Sequence, residues 1–113
     1  MSGSWADVRQ AVEDVIAERP DEYGAEVRAV MADVLALMEA QDRARPYVGP
    51  GYWPTFVLNF DAPGAENLQL EVFDDRIEVY RFNDRLFDVW DERHAPGEGF
   101  YEDFIRELPF AGA

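Results

Sequence analysis

Apolar residues recur at helical spacing in the first third of the chain and at alternate positions further on. Trp5, Val8, Val12, Val15 and Ile16 fall on one helical face, which predicts a first helix running to about Glu18. Ser4 followed by Asp7 forms a variant capping box in front of it, with a carboxylate where Glu or Gln is usual. Pro20 interrupts the pattern. Asp21 is the expected cap of a second helix, whose stripe of Tyr23, Val27, Val30, Met31, Val34, Leu35 and Met38 runs to near Asp42. Glu22, Glu26, Arg28, Asp33 and Glu39 occupy its outer face. The short break predicts an αα-hairpin with both stripes turned to a common layer.

Positions 43–54 hold three prolines and two glycines, so no regular element is expected there. Tyr47, Tyr52 and Trp53 lie in this loop, and a loop with its own aromatics either covers a core or binds a partner. Thr55 to Phe60 is β-branched and aromatic and reads as a strand, closed by the turn Asp61-Ala62-Pro63-Gly64. Leu68, Leu70 and Val72 alternate with Gln69, Glu71 and Phe73 in a second strand. Asp74-Asp75 and Asn83-Asp84 are expected turns, because Asp and Asn tolerate left-handed backbone and bond their own main chain. They bracket a strand from Ile77 to Phe82, and a fourth runs from Leu86 to Asp91. The echo of Phe73-Asp-Asp-Arg-Ile77 in Phe82-Asn-Asp-Arg-Leu86 is read as two similar hairpin turns. After a loop at His94–Gly99, Phe100, Tyr101, Phe104, Ile105 and Leu108 mark a short C-terminal helix stopped by Pro109.

The expected fold is therefore α+β: an N-terminal helical hairpin (1–42), the aromatic loop (43–54), a four-stranded antiparallel meander (55–92) and a C-terminal helix (99–109). Together they make a single domain, 1–113, built as a two-layer sandwich. Alternation leaves large apolar groups on both sheet faces: Ile77 and Val79 on one side of the third strand, Tyr80 and Phe82 on the other. The second face is either wrapped by the loop and last helix or left as a contact surface.

Charge sharpens this picture. The chain carries 24 acidic residues against 10 arginines and no lysine, a net charge of −14, with 16 aromatic residues. A disordered acidic tail would lack those aromatics. The field repels nucleic acids and anionic membranes and attracts cations and basic proteins. The five arginines from position 55 onward face fourteen acids, which leaves little room for a hidden basic patch. A GC-rich or halophilic host offers a competing, environmental origin for the acidity. With no cysteine, disulfides and thiolate or Cys-based metal sites are excluded. No basic-then-apolar leader opens the sequence, and a cytoplasmic location is the expectation.

Candidate chemistry is sparse. His94 lies among Asp91, Glu92 and Glu98, a setting that suits an acid–base group or pH switch, but no nucleophile sits at a recognisable spacing. A solvated loop histidine is the plainer expectation. Asp74, Asp75, Asn83 and Asp84 do not follow an EF-hand spacing, and turns at successive ends of a meander do not meet. Gly49-Pro-Gly51 and Gly97-Glu-Gly99 lack the lysine and helix of a phosphate loop. The expectation is no catalytic residue, no metal and no cofactor. The favoured function is a non-enzymatic binding protein, of inhibitor, immunity or antitoxin type, that engages a basic protein surface. Tyr47, Tyr52, Trp53 and Trp90 are its candidate anchors and Glu71, Glu78, Asp88 and Asp91 its charged rim. The alternative is a self-associating accessory domain, a homodimer through the exposed sheet face, with environmental acidity.

Overall fold

The computed structural model describes residues 4–82 and 87–111, with only the backbone described for Phe87 and Asp88. Helix α1 (Trp5–Glu18) starts at the expected capping box: the Ser4 hydroxyl accepts from the Asp7 N–H and the Asp7 carboxylate from the Ser4 N–H, each at 3.1 Å. Helix α2 (Ala25–Ala40) begins later than expected. Gly24, not Asp21, stands at its cap without a side-chain bond, because the residues after Pro20 are held in turns. There Arg28 donates to the carbonyls of Tyr23 (3.0 Å) and Pro20 (3.3 Å). At the other end Asp42 adopts a left-handed φ of 52°. Its N–H reaches the Glu39 carbonyl and that of Arg43 the Met38 carbonyl, the paired bonds of a Schellman motif.

The sheet has five strands, one more than the pattern predicted: β1 (Tyr47–Pro50), β2 (Phe56–Asn59), β3 (Leu68–Val72), β4 (Arg76–Phe82) and β5 (Phe87–Arg93). They form an antiparallel meander in the order β1-β2-β3-β4-β5. The extra strand comes from the loop read as irregular. It is an edge strand, where a proline at the end of the ladder is tolerated. Ala62–Ala65 is a turn with Pro63 and Gly64 (φ 82°) in its centre, the residues a type II turn requires. Asp74 and Asp75 turn the chain without left-handed backbone, contrary to the expected mechanism. Asp75 instead bonds the Arg76 guanidinium at 2.8 Å. Asn83 and Asp84 lie outside the described residues.

Alternation in the sheet is regular. Phe56, Leu58, Leu68, Leu70, Val72, Ile77 and Val79 point to one face and are fully or almost fully buried. There they join Val8, Val15 and Ile16 of α1 and Val27 to Met38 of α2 in one core. The last helix, α3 (Glu102–Glu107), is shorter than the predicted 99–109 and packs on this same face through the fully buried Phe104. Arg43 ties the C-terminal segment down: it is buried, donates to the Leu108 carbonyl at 2.7 Å and lies 4.1 Å from the Phe110 ring centre. The helices thus form one layer over the inner face of the sheet, and the α+β sandwich is as expected.

Candidate protein-interaction surface

Strand register decides which side chains share the outer face. One row runs Gly49, Val57, Glu71, Glu78, Asp91 across all five strands, and the next runs Tyr47, Asn59, Gln69, Tyr80, Val89. Three predicted rim residues, Glu71, Glu78 and Asp91, therefore stand directly opposite one another on neighbouring strands. Like charges in that position cost a few tenths to about 1 kcal/mol each. Local donors offset part of the cost. The Thr55 hydroxyl donates to Glu71 at 2.6 Å, Arg76 donates to Glu78 at 3.1 Å, and the Tyr80 hydroxyl bonds Glu78. Burial, then the Glu78 bond and charge, push the Tyr80 hydroxyl pKa well up, so it stays a donor. Asp91 has no hydrogen bond or ion pair among the described residues.

Apolar side chains flank this acidic row. Phe82 is 45% exposed and Val89 44%. Both lie on the outer face with Tyr80, whose ring stacks on Phe82 at 6.4 Å. Tyr47 lies at the β1 edge, exposed, with its hydroxyl on Asp61 at 3.0 Å, a bond that raises its pKa. Neither α3 nor the aromatic loop covers this face. The loop reaches only its margin, where Thr55 meets Glu71.

Tyr52 and Trp53 lie at that margin, 86% and 62% exposed and packed edge to face at 5.0 Å. Arg19 anchors the loop by donating to the Gly51 carbonyl at 3.1 Å, and the buried Tyr23 hydroxyl donates to the Thr55 carbonyl at 2.7 Å. Trp53 forms one wall of a cleft of about 500 Å³ between the start of α2 and the β3–β4 turn. Glu26, Phe73, Asp74 and Arg76 also line it. Arg76 belongs to both cleft and outer face, and the buried Thr55 behind the cleft bonds Glu71 of the outer row, so the two surfaces adjoin.

One candidate residue falls elsewhere. Trp90 pairs with Val79 and faces the core, packed edge to face on Phe104 at 6.4 Å. It is a core residue, because β4–β5 register puts it on the same side as Ile77 and Val79. Asp88 pairs with Arg81 in the ladder, and its side chain lies outside the described residues. Phe82 and Val89 also belong to this face, and alternation against Val79 in β4 and against Trp90 in β5 is the signal that places them outward.

His94 is not the solvated loop side chain expected. Its side chain is wholly buried. Nε2 lies 2.8 Å from Asp33 of α2, and the ring stacks on Phe100 at 4.1 Å and 2°. The Gly97 N–H donates to the same Asp33 carboxylate at 2.8 Å. Burial pushes the Asp33 carboxyl up, but the His94 and Gly97 bonds and the imidazole's charge outweigh it, and the net shift is downward. His94 is thus a fastening between the β5–α3 loop and α2 on the helix side of the sheet, whereas Asp91 lies on the outer face. Among the described residues no cluster of three or more His or carboxylate groups could hold a metal, and no helix is long and apolar enough to cross a membrane. Compared with family models, curated proteins and solved structures, this chain finds no match.

Proposed function

We propose that the chain is a non-enzymatic binding protein of inhibitor, immunity or antitoxin type, which uses the outer sheet face to engage a basic protein. One observation carries this reading: directly opposed carboxylates Glu71, Glu78 and Asp91 run beside the row of Tyr80 and the exposed Val89, with the exposed Phe82 beyond it, on a face that none of the described helices covers. Opposed like charges weaken the isolated fold and gain when a cation is placed between them. The apolar neighbours would supply affinity and the acids on-rate and selectivity. The same geometry disfavours self-association, since two copies would bring their acidic rows together.

The test uses the wild-type chain and a Glu71→Gln/Glu78→Gln/Asp91→Asn variant as bait in host lysate. Basic proteins should be retained at low salt by the wild type, lost at about 1 M salt where the screening length falls to about 3 Å, and not retained by the variant. Equal retention by both baits, or no basic protein on either, would sink the proposal. Sedimentation at both salt levels checks the alternative, which requires a dimer that salt strengthens.

A further inference from the structure

We infer that the cleft beside Trp53 is a receptor for one arginine side chain of the basic partner, a deeper claim that rests on the proposed function. Its chemistry matches a guanidinium on two counts. Glu26 and Asp74 line it, and among the described residues neither carboxylate has an ion-pair partner. Trp53 offers a large exposed ring, and no guanidinium of a described residue covers it. Tryptophan is the best aromatic face for a cation, and arginine stacks on it more readily than lysine does.

The protein already uses this pairing internally. Arg76 lies 3.8 Å from the Phe73 ring centre in the same cleft, while bonded to Asp75 and Glu78. Arg43 and Arg19 sit over Phe110 and Tyr23 in the same way. Because Asp75 and Glu78 neutralise Arg76, its charge does not close the cleft to a second cation. An arginine entering beside Trp53 would lie within reach of Glu26 and Asp74, with the rest of its protein over the adjoining outer face.

The experiment follows amide and indole N–H resonances of the full chain during titration with N-acetyl-arginine amide, and with N-acetyl-citrulline amide as the uncharged isostere. Saturable shifts at the Trp53 indole, Val27 and Phe73 are expected with arginine and not with citrulline. Trp53→Ala should weaken binding about two- to fivefold, Trp53→Phe should restore part of it, and Glu26→Gln/Asp74→Asn should weaken it further. Shifts spread evenly over all surface carboxylates, equal shifts with citrulline, or an unchanged affinity in Trp53→Ala would overturn the inference. Should arginine fail to bind while the wild-type bait still captures a basic protein through Glu71, Glu78 and Asp91, the cleft falls and the functional reading stands. If arginine binds here and no basic protein is captured, the functional reading falls instead.

Discussion

Replacing Asp33 by alanine removes the acceptor of two hydrogen bonds, one of them from a wholly buried imidazole. A bond to a charged acceptor is worth about 1.5–3 kcal/mol, and a buried donor left without a partner costs about 1–3 kcal/mol. Alanine returns roughly 0.5 kcal/mol of helix propensity. The expected net loss in Asp33→Ala at neutral pH is therefore about 2 kcal/mol, read as a lower urea midpoint at unchanged slope. Asp33 titrates below its ordinary value in the folded protein, so its stabilisation is complete above the ordinary carboxyl pKa of about 3.9. It is lost as pH falls through the lowered folded value. The gap between wild type and Asp33→Ala should shrink as the buffer is made more acidic than about pH 4, where the unfolded carboxyl takes up its proton. A loss under about 0.5 kcal/mol at neutral pH, below the range for a bond to a charged group, would refute the reasoning. So would a gap that stays the same once the carboxyl is protonated.

Three further substitutions probe other features. Asp42→Gly should stabilise the fold by about 1 kcal/mol in thermal or urea melts, because glycine takes the left-handed position at the end of α2 without Cβ strain. Gly51→Ala should destabilise by about 1–3 kcal/mol, since an added Cβ would meet the Thr55 hydroxyl and the Glu71 carboxylate; the loss should appear in the same melts. Asp91→Asn relieves repulsion with Glu78 and should stabilise the free protein by about 0.5 kcal/mol at low salt, a gain that vanishes near about 1 M salt. The same variant should weaken partner capture, a combination that repacking alone does not produce.

What the sequence carried and what it hid follow from the range of the interactions involved. The α1 cap, both helical stripes and the alternation of β3 and β4 depend on near neighbours, and all were legible. Strand β1 was not, because Val48 is its single residue packed on the core and Pro50 ends it. Trp90 looked like an anchor because of its size, and only its pairing with Val79 shows that it faces inward. His94 looked solvated because its partner Asp33 is 61 positions away. The candidate surface was half visible: Glu71, Glu78 and Asp91 stood out as acids within strands, while their direct opposition needed the register of two strand pairs.

The meander has a kinetic consequence. Every strand pairs with its neighbour in sequence, so the sheet closes through short loops at small entropic cost and should form early in folding. Two long-span fastenings, Asp33 to His94 across 61 positions and Arg43 to Leu108 across 65, join α2 and the segment just past its end to the residues that follow β5, after that sheet exists. Contacts made on the native side of the barrier control how fast a protein comes apart. Loosening either fastening should therefore shorten the lifetime of the folded molecule in stopped-flow unfolding while leaving its refolding rate alone.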